Sequence, residues 1–195
     1  MEHFGLRKSR HQVDCFETEH HRQLLKDLKA AIHEGGIVAL TGVVGSGKTQ
    51  LLWRIQDQLR HEGQIEVAES LVFDVPRVTL STLKLALYYD LATDKDGDLP
   101  GKPEKSERAL MKVMRRCQKP IALFIDDGHD LHAQTLRSLK QCIEKTRRRG
   151  GRLTVVLAGH PRLGYPLKAG HSMTSATEPL YTLSASRPRQ GPDVR

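Results

Sequence analysis

The sequence predicts an α/β domain: a central parallel sheet with helices on both faces, in three layers. Three observations carry that reading. Ile37–Thr41, Ile121–Ile125 and Leu153–Leu157 are short, largely apolar runs of the kind that form strands buried on both faces. The stretches between such runs place apolar residues at helical spacing, so strands alternate with helices and the crossovers demand a parallel sheet. A glycine-rich segment, Gly42 to Thr49, sits directly between the first run and a helical stretch.

Each element follows in order. An opening arm to about Cys15 lacks periodicity, and Leu24, Leu25, Leu28, Ala31 and Ile32 then make one helical face that ends near Gly35. After the first strand and the glycine-rich turn, Leu51, Leu52, Ile55 and Leu59 define a helix stopped by Gly63. Ser70-Leu71-Val72-Phe73 reads as the second strand, with Pro76 as a breaker. Leu80, Leu83, Leu87 and Leu91 form the next helical face, with Tyr88 and Tyr89 beside it, and Thr93 to Pro103 is an exposed loop rich in Asp, Gly, Lys and Pro. Leu110, Val113, Met114 and Cys117 predict a further helix, ended by Lys119-Pro120 before the third strand. A helix carrying Leu136, Leu139 and Ile143, the Gly150-Gly151 break and the fourth strand complete the pattern. Four of the nine prolines fall from Pro166 onward and no apolar pattern survives there, so residues 166–195 read as a loosely ordered tail after a domain spanning 16–165.

Gly42-Val43-Val44-Gly45-Ser46-Gly47-Lys48-Thr49 spells G-x-x-x-x-G-K-[ST], a phosphate-binding loop. Gly42, Gly45 and Gly47 let the backbone curl so that successive N–H groups point at phosphate oxygens. Lys48 would reach the β- and γ-phosphates and the Thr49 hydroxyl would ligate Mg²⁺. A strand before and a helix N-terminus after complete the context that the motif requires. The predicted nucleotide-contact set is therefore Gly42, Val43, Val44, Gly45, Ser46, Gly47, Lys48, Thr49 and Gln50, in a P-loop NTPase fold.

The third strand runs into Asp126-Asp127, two carboxylates at a carboxyl strand end, where open parallel sheets bind ligands. Asp126 is expected to help hold Mg²⁺ beside Thr49, and Asp127 to orient or deprotonate an attacking water. His129, Asp130 and His132 invite a metal reading, but they fit better as a turn into the next helix with Asp130 near its N-cap. His160, after the fourth strand, is a candidate sensor of the terminal phosphate; an exposed turn before Pro161 explains it equally well. Guanine-reading GTPases need an Asn-Lys-x-Asp element, and the chain contains no asparagine, which makes ATP the expected nucleotide.

At 195 residues, the length suits one α/β domain. With 38% apolar and 28% charged residues and no apolar stretch as long as a membrane span or secretory core, a cytoplasmic setting is expected, with no membrane partner. Cys15, Cys117 and Cys142 lack metal-ligand spacing and are odd in number, which suits reduced thiols. The net charge of +8 favours a polyanionic partner. Part of that charge lies in Lys145 to Arg152, where a solvated helix end and a DNA contact are both reasonable readings.

Gly42 to Thr49, Leu123-Phe124-Ile125-Asp126-Asp127-Gly128-His129-Asp130-Leu131 and Thr154-Val155-Val156-Leu157-Ala158-Gly159-His160-Pro161-Arg162-Leu163 together resemble the AAA+ ATPases that assist bacterial DNA transposases, the TniB, IstB and ExeA-like group. The similarity covers roughly Asp14 to Leu163. It implies an AAA+ type fold and an ATP-dependent homo-oligomer that binds duplex DNA without sequence preference and recruits a transposase. By resemblance, Lys48 and Thr49 would hold phosphate and Mg²⁺, Asp126 would support the metal, and His160 would occupy the sensor position.

Two departures accompany the resemblance. Asp127 stands where the family usually has glutamate, and a carboxylate pulled back by one methylene weakens water activation. The family also continues with a fifth strand and a helical lid carrying arginines, and nothing after Leu163 reads as those parts, so a shortened chain without the lid is expected. A transposition ATPase leads the functional readings. A non-hydrolysing ATP-dependent adaptor is the alternative that both departures favour. A small-molecule kinase is weaker, because the loop Asp94 to Pro103 holds no arginine to serve as a lid.

Overall fold

Three strands through the middle of the sheet set the architecture: β1 (Gly36–Thr41), β3 (Ile121–Ile125) and β4 (Leu153–Gly159), each buried at every residue. The computed structural model describes residues 19–69, 78–161 and 180–184. Two further strands flank the three, β2 (Glu66–Glu69) and β5 (Leu180–Ser184), and the order across the sheet is β2-β3-β4-β1-β5 with every pairing parallel. Residues β-branched or otherwise apolar at consecutive positions suit this setting, because a strand covered on both faces has no polar side.

Alternation along the strands divides the core in two. Val38, Leu40, Ala122, Phe124, Val156 and Ala158 face helices α1 (Glu19–Glu34) and α2 (Lys48–Glu62), meeting Leu24, Leu28, Ile32, Leu52, Ile55 and Leu59. Ile37, Ala39, Leu123, Ile125, Val155 and Leu157 face α3 (Leu80–Leu91), α4 (Pro103–Cys117) and α5 (Ala133–Arg148). Each large aliphatic side chain fully withdrawn in these layers contributes roughly 1.5–3 kcal/mol. The result is the predicted three-layer α/β fold of the P-loop NTPase type.

Helix ends follow local chemistry. Thr79 caps α3 in a reciprocal capping box with Thr82, Pro103 opens α4 where its missing N–H costs nothing, and Gly63 closes α2 in the left-handed region. The loop between α3 and α4 is mostly exposed, as its composition predicts, but it is pinned. Arg116 Nη1 donates to both carboxylate oxygens of Asp96 at 2.7 and 2.6 Å, and the Tyr88 hydroxyl reaches the Asp96 and Gly97 carbonyls, each at 3.1 Å.

Two strands stand where none was expected. One is β2, Glu66–Glu69, an edge strand that pairs with β3 among the described residues and carries glutamates at both ends, which ion-pair with Lys119 and Arg60; the expected strand Ser70–Phe73 lies outside the described residues. Residues 70–77 lie outside those described. A fifth strand exists where none was expected, because the open side of β1 presents backbone donors and acceptors that need partners. It falls inside the stretch read as a loose tail; the other tail residues, the opening arm, Arg162 and Leu163 lie outside the described residues, as does the question of a lid. Asp130 ends a short 3₁₀ turn, Gly128–Asp130, that leads into α5 and lies near its N-cap position, His132.

Candidate functional site

The glycine-rich loop leaves β1 and turns into α2 at the carboxyl edge of the sheet. Gly45 and Gly47 adopt φ of 79° and 78°, which a side chain would strain. Gly47 is the N-cap of α2 and offers no side-chain cap, so the N–H groups of Lys48, Thr49 and Gln50 precede the first intrahelical bond, from Leu51 N–H to Gly47 C=O at 2.9 Å. Those donors and the positive end of the helix dipole make an anion cradle. Ser46 Oγ is buried without a hydrogen-bond partner among the described residues, a polar atom of the loop that a phosphate oxygen can satisfy.

Lys48 folds back on the loop, its ammonium donating to the carbonyls of Gly42 and Val43 at 2.9 Å each. The charge therefore stands at the mouth of the cradle. Gly42 N–H donates to Gly159 C=O at 3.1 Å, which ties the start of the loop to the end of β4. Val43 and Val44 are exposed, so these two residues can contribute backbone rather than buried side chains.

Across the sheet edge, the Thr49 hydroxyl donates to Asp126 Oδ2 at 2.6 Å. A hydroxyl and a carboxylate so close can share a hard cation such as Mg²⁺, which takes oxygen ligands and keeps several waters. The other Asp126 oxygen accepts the Asp127 N–H at 2.9 Å. Asp127 itself sits at φ 49°, in the left-handed region, and starts the 3₁₀ turn. Aspartate tolerates that conformation better than longer side chains do, which gives a local reason for aspartate here.

Behind the carboxylates, the turn packs hard on β4. A Cβ at Gly159 would lie 3.1 Å from the backbone nitrogen and from Nδ1 of His129, and one at Gly128 would lie 3.1 Å from Leu157 Cβ. His129 stands 4.0 Å from Asp127 Oδ1 and 3.8 Å from Asp130 Oδ1, and its ring centroid is 6.5 Å from that of His160. The two carboxylate distances are beyond hydrogen bonds, so the His129 ring sits beside Asp127 and Asp130 without a hydrogen bond to either oxygen. His132 stands at the N-cap position of α5, with no side-chain cap bond. The sequence pattern singled out the loop, Asp126, Asp127 and His160. It missed the seat of His129 on Gly159, for which the small residue at a strand end was the available signal.

The sequence model of the AAA domain family matches residues 13–164. The chain belongs to the AAA domain family. Among solved structures, this AAA domain is similar to Cdc6p from Pyrobaculum aerophilum, with a TM-score of 0.61 at 14% identity over 90% of this chain and 47% of that one. It is also similar to a chain of Drosophila ORC in a DNA-bound structure, with a TM-score of 0.60 at 17% identity over 85% of this chain and 42% of that one. The chain thus spans less than half the length of either, and at these identities the likeness is one of fold. No curated protein matches the sequence.

Proposed function

We propose that this AAA domain binds ATP with Mg²⁺ and works as a DNA-associated ATPase that assists a transposase. The observation that carries the nucleotide half is the 2.6 Å bond between Thr49 and Asp126, which joins the phosphate loop to the carboxylate strand from 77 positions apart in sequence. Mg-ATP supplies the scissile phosphoanhydride. Lys48 and the amides of Gly45 to Gln50 neutralise and orient its phosphates; Thr49 and Asp126 hold the cation. Asp127 orients a water or takes its proton, and His160 contacts the terminal phosphate region.

The DNA half rests on the transposition-type motifs, on the net charge of +8, and on the fold shared with a protein whose structure is DNA-bound. Assembly into a homo-oligomer in ATP, in the cytoplasm, belongs to the same reading. A non-hydrolysing adaptor is favoured by one feature: the short Asp127 side chain, 64% exposed and at the head of a tight turn, offers weak support for water activation. A kinase lid at residues 94–103 is disfavoured, because Arg116 and Tyr88 pin that loop.

The test measures ATP-analogue binding, ATP turnover with and without duplex DNA, and particle size in ATP, for the wild type and Lys48→Ala. Removing the charge-assisted contacts should weaken nucleotide binding by at least about 100-fold, roughly 2.7 kcal/mol, and abolish turnover. DNA-stimulated turnover with assembly supports the helper reading, and binding without turnover the adaptor. Nucleotide affinity indifferent to Lys48→Ala would sink the site.

A further inference from the structure

The outer face of α4 is a line of cations. Lys105, Arg108, Lys112 and Arg115 recur at i, i+3, i+7 and i+10, a spacing that confines them to about 80° of arc along about 15 Å of helix. All four are exposed, and among the described residues none makes a side-chain hydrogen bond or ion pair. The stripe cannot rotate inward, because Leu110, Met111, Val113 and Met114 hold the other side of α4 in the core. Glu107, a carboxylate on the same helix, is already engaged by Lys84 at 3.2 Å and Lys145 at 2.9 Å.

Helix electrostatics account for only part of this arrangement: Glu104 stands in the first turn, four residues before Arg108, and is the one acid there. A helix C-terminus attracts cations, which explains Arg115, but Lys105 lies in the first turn, where positive charge is disfavoured. Neighbouring cations at i+3 and i+4 also repel one another. Such a face becomes favourable when an extended row of anions lies along it.

A second basic segment lies at the amino end of the sheet. Lys145 to Arg152 holds five cations and no carboxylate, and Arg149 and Arg152 are exposed without side-chain partners among the described residues. The turn that presents them is compact and hydrogen-bonded. Thr146 C=O accepts from Arg149 N–H at 3.1 Å and from Gly151 N–H at 3.0 Å, and a Cβ at Gly151 would lie 2.9 Å from Thr146 Cγ2. Ile121 N–H donates to Arg152 C=O at 2.8 Å, so this turn abuts the start of β3, the strand that α4 leads into.

We propose that the outer face of α4 and the turn between α5 and β4 form a contact surface for the phosphate backbone of duplex DNA, separate from the phosphate loop. The inference rests on the DNA-associated reading above and assigns it a place. A backbone is the occupant that fits, because phosphates are a regular row of anions and guanidinium groups bind them in a fork. An anionic membrane fits less well: the large apolar side chains exposed among the described residues lie in the phosphate loop (Val43, Val44), on α2 (Trp53) and on α3 (Leu85, Tyr89), and none lies on α4.

The experiment titrates a labelled 30-base-pair duplex by anisotropy between 50 and 300 mM salt, about the range over which phosphate contacts dominate. It compares the wild type, Arg108→Ala/Lys112→Ala/Arg115→Ala, and a control with the same charge loss elsewhere, Lys26→Ala/Lys95→Ala/Arg137→Ala. Alanine keeps the helices, and ATP-analogue binding checks folding. The stripe variant should bind at least about 10-fold more weakly, with the slope of log affinity against log salt lowered by about 2 to 3, while the control slope changes by less than about 1. Equal losses in both variants, or a stripe variant that binds like the wild type, overturns the surface while leaving the DNA reading intact. A wild type that ignores the duplex but binds vesicles containing phosphatidylserine overturns both.

Discussion

At the carboxyl ends of β1 and β3 lie a glycine-rich loop, Lys48 and the carboxylates of Asp126, Asp127 and Asp130; at the amino ends of β3 and β4 lie Lys119, Arg149 and Arg152. The two ends differ in how they are made as well as in charge. The first is built from backbone groups in tight quarters, with left-handed glycines and two glycines whose missing Cβ atoms admit a neighbouring turn. The second is built from long side chains on helix surfaces and on one compact turn. Chemistry carried by backbone demands exact spacing and tolerates little change, whereas chemistry carried by exposed side chains adds up residue by residue.

That contrast can be broken by Gly159→Ala. The new methyl group meets the backbone and ring of His129, which must move, so stability in urea should fall by about 1–3 kcal/mol. Arg149→Ala/Arg152→Ala at the opposite end should cost less than about 0.5 kcal/mol. Similar losses for the two variants would mean that the close packing at the carboxyl end contributes nothing special.

A smaller effect sharpens the first end alone. Asp127→Glu restores the missing methylene, and turnover should rise by about 10-fold if reach is what limits water activation. The longer side chain at φ 49° should cost stability at the same time. Higher stability with unchanged turnover would refute the argument from reach.

The smallest effect belongs to the loop before α4. The hydrogen bond from Arg116, aided by that of Thr93 N–H, holds the Asp96 carboxyl down at about 2. Because the folded value lies below the unfolded one, this contribution is complete above about pH 4 and is lost as pH falls through about 2. Asp96→Asn should flatten the pH dependence of stability in that window and leave ATP binding at neutral pH unchanged; a wild-type slope retained by the variant would contradict it.

Much of this division was legible in the residues. The runs Ile37–Thr41, Ile121–Ile125 and Leu153–Leu157 marked the three central strands because burial on both faces leaves no room for polar residues, and the loop motif located the anion cradle. Edge strands escaped for the opposite reason. Glu66 and Glu69, at the two ends of a four-residue strand, leave no apolar run by which β2 could be read. β5 is defined by backbone pairing with β1, which leaves little trace in side-chain pattern. The stripe on α4 was equally hidden, since a helix read from its apolar face leaves the polar face unread.

The pairing of Ile37 with Leu180 also bears on the order in which the sheet can form. β1 to β4 are complete by Gly159, so the four-stranded body and its two core layers can assemble while later segments are still leaving the ribosome. β5 must then close the longest loop in the sheet, the kind of contact that forms late. The strand that bears the phosphate loop is thus built early on one side and clasped last on the other.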